Sequence, residues 1–268
     1  MRDEGYEPCL NNAAVLFAES SDSVFSKFGD KIKGDIISYL RSITRLPCKY
    51  RFPYYTLTKN TFSDLFNEEA SKIIIESIRK EMLNRIDFDT NAGIEEILDE
   101  IQKRELGKYL KNFSGHEHVL FLWNNKNFRD KIMNDFFIHP DVPQGLISSE
   151  KIQLPAVENV LYSDLFSNKE TATAQEFQII AQIHQKNKLE IPTRLAGIDC
   201  TEWFKNGLSA EFLVLEKQID QYFEKKNISC ICGYNKNKIP DRKTLRKLLK
   251  CHNYVMLDSP HNIFKKGL

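Results

Sequence analysis

The spacing of apolar residues changes once along this chain, near Lys111-Asn112-Phe113-Ser114-Gly115, and that change constrains the fold more than any other feature. Before it, apolar residues recur at three- and four-residue intervals, as on the buried stripe of a helix. After it, short strand-like runs alternate with helical segments, the pattern of a parallel sheet whose crossovers are helices. The expected architecture is α/β: a mainly parallel sheet flanked by helices over 115–268, preceded by a small all-α domain over 23–107, with a linker over 108–114.

Within the first part, residues 1–22 contain Asn11-Asn12 and Glu19-Ser20-Ser21-Asp22 and hold no sustained period, which predicts a flexible leader. Ser23 is placed to cap a helix carrying Phe25, Phe28, Ile32, Ile36, Tyr39 and Leu40. The run Leu46-Pro47-Cys48-Lys49-Tyr50-Arg51-Phe52-Pro53 interrupts the pattern, because proline removes a donor and restricts the residue before it. Thr61 and Asp64 form a candidate capping box for a helix with Phe62, Leu65, Phe66, Ile73, Ile74, Ile78 and Met82 on one face. A third helix is expected from Thr90, through Ile94, Ile97, Leu98 and Ile101.

In the second part, strands are expected at 117–123, 145–148, 157–162, 193–198, 228–232 and 254–257, with helices at 127–137, 171–187, 209–223 and 241–249. Apolar residues at 41% and charged residues at 28% are near globular averages, so the bulk of the chain is expected to fold. No apolar run approaches the roughly 20 residues that span a bilayer, and the acidic start Met1-Arg2-Asp3-Glu4 lacks the order of a secretory signal. A cytoplasmic protein without a membrane partner is expected. The six cysteines are scattered, which favours reduced thiols, and a net charge of +1 removes the bulk electrostatic argument for nucleic acid.

The residues that carry chemistry give few signals. A nucleotide-hydrolysing α/β domain needs a glycine-rich loop after its first strand, so that backbone N–H groups approach the phosphates. Here that strand runs into Asn124-Asn125-Lys126-Asn127, without glycine. His116 and His118 share a strand face, but no neighbouring ligand completes a metal site, and both read as polar residues at the strand entrance. Cys230 and Cys232 also share a face and read as buried thiols, since their spacing is not Cys-x-x-Cys. Asp199, Glu202 and His184 form an acid–base set only if the fold brings them together. The segment from Asp241 to Lys250 reads as an outer helix with a basic face. No catalytic residue, metal or cofactor is expected.

The stretch from Gly115 onward resembles the MEDS family, the sensory domain of DcmR-type regulators. The likeness rests on Gly115-His116-Glu117-His118-Val119-Leu120-Phe121-Leu122-Trp123, Arg194-Leu195-Ala196-Gly197, Leu215-Glu216, Ile231-Cys232-Gly233-Tyr234-Asn235 and Leu248-Leu249-Lys250-Cys251-His252. The resemblance implies a RecA-like fold without a phosphate loop and a non-enzymatic sensor of small organic molecules, especially hydrocarbon derivatives. It implies a ligand role for His118. From the strand assignments, Arg194, His118, Cys232 and Tyr234 are expected at or near strand ends, where open α/β sheets bind ligands. Acidic and aromatic positions after the Arg-x-x-Gly strand correspond to Asp199, Glu202 and Trp203. A cysteine common two residues after the family histidine is Leu120 here, and the region between Phe137 and Val157 is shorter than usual. Phe28-Gly29-Asp30-Lys31-Ile32-Lys33 and Leu65-Phe66-Asn67-Glu68-Glu69-Ala70 resemble the Nitrosopumilus output domain of archaeal signalling proteins. Together the two likenesses imply a sensor coupled to an output module and a signalling protein partner. The alternatives are a DNA-binding transcriptional regulator and a ligand-free interaction scaffold.

Overall fold

A computed structural model describes residues 6–10, 12–44, 55–89, 91–138, 140–258 and 261–267. The chain forms two compact units, Leu10–Glu105 and the combination of Met1–Cys9 with Leu106–Leu268. The expected proline break at 46–53 lies outside the described residues.

The first unit is helical: α1 (Asn12–Ser26), α2 (Asp30–Thr44), α3 (Tyr55–Leu65), α4 (Glu68–Leu83) and the start of α5 (Ile94–Lys111). Much of the expected leader is therefore helix. α1 buries Ala13, Phe17, Ala18, Ser20, Ser21, Val24 and Phe25. Alanine and serine occupy much of that stripe, which is why its period was inconspicuous. Ser23 lies inside α1 rather than capping a helix, and the single helix expected from it is two. Gly29, at φ +91°, takes the left-handed conformation that ends α1 and admits α2.

The helix expected across 61–82 is likewise two. Thr61 and Asp64 lie inside α3, and Asn67 caps α4 by accepting a hydrogen bond from Ala70 N at 2.8 Å. Phe17, Val24, Phe25, Ile36, Phe62, Ile74, Ile78, Met82, Ile94 and Ile97 form the core of this unit.

The second unit contains β1 (Tyr6–Pro8), β2 (His118–Trp123), α6 (Lys126–Phe136), β3 (Gln144–Ser148), β4 (Val157–Leu161), α7 (Tyr162–Leu165) and α8 (Ala172–Gln185). It continues through β5 (Thr193–Gly197), α9 (Thr201–Lys205), α10 (Ser209–Phe223), β6 (Ile228–Asn235), α11 (Arg242–Cys251), β7 (Tyr254–Asp258) and β8 (His261–Lys266). The expected linker is largely absent, because α5 runs to Lys111 and the division between units falls within that helix.

The eight strands form one sheet in the order β1-β8-β7-β2-β6-β5-β3-β4. β2 to β7 are mutually parallel, whereas β8 and β1 pair antiparallel at one side. The fold is α/β with a mainly parallel sheet flanked by helices. Strands β3 and β5 are buried throughout and β2 and β6 nearly so, as expected of parallel strands covered on both faces.

One face of the sheet packs Leu120, Leu195, Cys230, Cys232 and Tyr234 against Trp203, Phe212, Ile219, Phe223 and Leu248. On the other face, Phe121 of β2 meets Phe128 of α6, with ring centroids 6.3 Å apart. Gly233 is required where β6 passes the chain after β5, because a Cβ there would lie 3.0 Å from Ile198 Cα. Among the described residues no helix is long and apolar enough to cross a membrane.

Candidate functional site

Two places in the α/β unit collect polar groups. The first is the carboxyl-end edge of the parallel strands, where folds of this class bind ligands. After β2, the backbone N–H groups of Asn124 and Asn125 point at the Asp258 carboxylate, which ends β7; the Asn125 bond is 2.9 Å. Lys236, just after β6, reaches the other oxygen of Asp258 at 3.2 Å. Burial pushes the Asp258 carboxyl up, but these donors outweigh it and hold the pKa below the usual range. An internal carboxylate thus takes up the backbone N–H groups that follow β2.

The rest of this edge is filled similarly. Arg129 of α6 reaches Asp199 at 3.3 Å, Glu150 at 2.9 Å and Asp130 at 2.8 Å. Asp199, just after β5, also accepts hydrogen bonds from Ser149 N at 3.2 Å and from the Ser149 hydroxyl.

The second place is inside the unit, between the sheet and the helices α10 and α11. β2 brings His118, β6 brings Cys232, α10 brings Glu216, and the residue that follows α11 is His252. All four are buried, and one donor atom from each lies within 4.8 Å of the others. Glu216 Oε2 stands 3.5 Å from His118 Nε2 and 3.5 Å from His252 Nε2. Cys232 Sγ lies 3.4 Å from His118 Nε2. The two imidazoles face each other, with centroids 4.0 Å apart.

Each outward-facing atom of these ligand-type residues has a partner. His118 Nδ1 meets Asp220 Oδ1 at 3.1 Å, one helical turn beyond Glu216 on α10. His252 Nδ1 meets Leu248 O at 2.7 Å, and Glu216 Oε1 accepts a hydrogen bond from Tyr234. Glu216 Oε2, by contrast, is buried and accepts no hydrogen bond.

The charges are strongly coupled. Burial pulls the His118 imidazole down, but the Asp220 and Glu216 carboxylates outweigh it and raise its pKa to about 9. Burial together with the neighbouring His118 charge lowers His252 to about 4. Burial pushes Glu216 up, yet His252, His118 and Tyr234 bring it down to about 2. The carboxylates of Glu216 and Asp220 thus favour the protonated form of His118 in this centre.

Glu176 of α8 adds a second buried acid. Its Oε2 accepts a hydrogen bond from Trp203 Nε1 at 3.1 Å, and burial with the Glu216 charge raises its pKa to about 8. Glu176, Glu216, Cys200, Cys230 and Cys232 share an interior cavity of about 20 Å³ with Ile180 and Ile183. That is room for about one water molecule.

Of the sequence-derived candidates, His118, Cys232 and Tyr234 meet in this interior centre. Trp203 is buried and connects to it through Glu176. Arg194 stands near the opposite end of β5 from the ligand edge, and donates to the carbonyls of Leu110, Lys111 and Phe136 at 3.0, 2.9 and 2.5 Å. It thereby completes the ends of α5 and α6. Glu202 pairs with Lys205 at 2.5 Å on α9. The acid–base set of Asp199, Glu202 and His184 is not assembled, for His184 binds Thr193 at 3.1 Å while the two acids hold the separate partners given above.

The expectation that His118 lacks complementary ligands is corrected. They come from Cys232, Glu216 and His252, which are distant in sequence. Glu216 left a legible signal: it interrupts the core-facing stripe Phe212, Leu215, Ile219 and Phe223 on α10.

No protein-family model matches the sequence, and no curated protein matches it. Among solved structures, a protein of Pyrococcus horikoshii OT3 determined as a structural study is similar at 12% identity, with 57% of this chain and 86% of that chain covered and a TM-score of 0.41.

Proposed function

We propose that the α/β unit is a non-enzymatic receptor for a small ligand, with the helical unit as its output module in a signalling protein. The observation that carries this reading is the interior centre of His118, Glu216, Cys232 and His252, four buried polar side chains converging on one point. Burying ionisable groups is unfavourable unless they are paired or bind something, and such clusters gather at functional sites. The filled strand edge supports the same reading, since Asp258 and Asp199 hold the donors that a nucleotide would need.

The ligand suited to the centre is of ionic or water size. A cavity of about 20 Å³ does not receive a hydrocarbon derivative unless the helices over it open. Melting of the full chain with a panel of ions and small metabolites tests the reading. A ligand at a hundred times its dissociation constant should stabilise the protein by about 2.7 kcal/mol. No stabilisation across the panel would count against a receptor.

A second reading, nucleic-acid binding, is favoured by α11, whose Arg242, Lys243, Arg246, Lys247 and Lys250 are all exposed. A mobility shift that weakens steeply with salt would support it.

A further inference from the structure

We infer that His118, Glu216, Cys232 and His252 form a tetrahedral site for one borderline divalent transition-metal ion, zinc foremost; this rests on the receptor reading and names its ligand. The argument begins with spacing. Zinc binds histidine nitrogen at about 2.0–2.1 Å, carboxylate oxygen at about 2.0–2.2 Å and thiolate sulfur at about 2.3 Å. Donors at tetrahedral angles about one ion then lie about 3.3–3.6 Å apart. The separations from Glu216 Oε2 to the two imidazole nitrogens, and from Cys232 Sγ to His118, are 3.5, 3.5 and 3.4 Å.

The outer partners strengthen the case. A metal-binding imidazole ordinarily donates its other N–H to a carboxylate or carbonyl, which fixes the tautomer and turns the free lone pair toward the ion. Asp220 does this for His118, and the Leu248 carbonyl does it for His252. Tyr234 holds the far oxygen of Glu216. The near oxygen is buried without a hydrogen bond, in the place where a metal would meet it.

Donor chemistry selects the ion. Two imidazoles and a thiolate disfavour magnesium and calcium, which take oxygen ligands, and suit zinc or cobalt. A divalent ion with one thiolate and one carboxylate forms a centre of zero net charge, which suits a dry interior. Four protein ligands leave no open position, the hallmark of a structural or regulatory ion rather than one that activates water. The ion would join β2, β6, α10 and the end of α11, so its arrival would tighten both helices against the sheet.

The test uses the full chain, stripped with a chelator and titrated with zinc or cobalt(II). One equivalent of metal should bind, and the cobalt form should show tetrahedral visible bands with a thiolate charge-transfer band in the near ultraviolet. Cys232→Ser should lose the charge-transfer band, whereas Cys230→Ser should retain it. Asp220→Asn, which alters only an outer partner, should weaken binding by about 10- to 100-fold. Circular dichroism confirms that each variant is folded, and a misfolded Cys232→Ser leaves the decision to stoichiometry and the Asp220→Asn titration. Failure to bind either metal, or a charge-transfer band unchanged in folded Cys232→Ser, would overturn the assignment. If neither metal binds but another small ligand raises the melting temperature, the receptor reading stands without the metal. If nothing raises it, both fail.

Discussion

The carboxyl-end edge of the sheet and the interior beneath it are both rich in charge, yet they use it in opposite ways. At the edge, each acid is met by donors of its own chain: Asp258 by Asn124, Asn125 and Lys236, and Asp199 by Arg129 and Ser149. In the interior, donor atoms of four residues face one another, with their outward atoms tied down. At the edge opposite charges neutralise one another in pairs, whereas in the interior the polar atoms converge on one point. The sheet thus keeps the carboxyl ends of its parallel strands occupied by the chain's own ion pairs and gathers a second set of polar groups beneath it.

The contrast is broken most severely by Glu216→Ala. Removing the carboxylate from between His118 and His252 leaves buried charge uncompensated, and chemical denaturation should record a loss of about 3–5 kcal/mol. Asp258→Ala, the corresponding change at the edge, orphans the N–H groups of Asn124 and Asn125, which water reaches more readily. The loss should be smaller, about 1–3 kcal/mol by the same measurement, and zinc or cobalt binding should be unaffected.

Glu176→Gln sharpens the comparison through pH. The folded carboxyl keeps its proton to about pH 8, while the unfolded group releases it near the ordinary value of 4.5. Between these values the folded state binds more protons, so this residue makes stability fall as pH rises. In the metal-free protein, the melting temperature of Glu176→Gln should decline less than that of the parent from pH 5 to about pH 8. Equal slopes would remove Glu176 from the buried electrostatics. The smallest effect belongs to Glu202→Gln, which loses only the pair with Lys205; stability should stay within about 0.5 kcal/mol and metal titration should be unchanged.

Much of the fold was legible in the sequence because buried parallel strands and amphipathic helices each impose a spacing. The strands at His118–Trp123 and Thr193–Gly197 and the helix at Ser209–Phe223 stand within a residue or so of expectation. α1 escaped because its buried stripe is largely Ala and Ser, and the break before α4 escaped because Asn67 capping is a local event inside a continuing apolar period. β8 escaped because His261-Asn262-Ile263-Phe264-Lys265-Lys266 has little strand character beyond two residues.

The site was legible only in part. His118, Cys232 and Tyr234 were singled out; Glu216 showed only as a charge interrupting the apolar stripe of α10, and His252, just after α11, shares no spacing with the others. Side chains gathered by tertiary packing share no common spacing along the chain. Arg194 misled for a related reason, since a buried arginine that completes helix ends resembles one that holds a ligand until its partners are seen.

β1, described as the outermost strand beside β8, bears on how the protein meets other chains. It spans three residues and ends in Pro8, which has no N–H to offer a neighbour. Among the described residues, a peptide seeking to extend the sheet there would find a template only three residues long for a ladder of main-chain bonds. Strand addition at that border is thereby discouraged, both for amyloid-like stacking and for recognition of extended peptides.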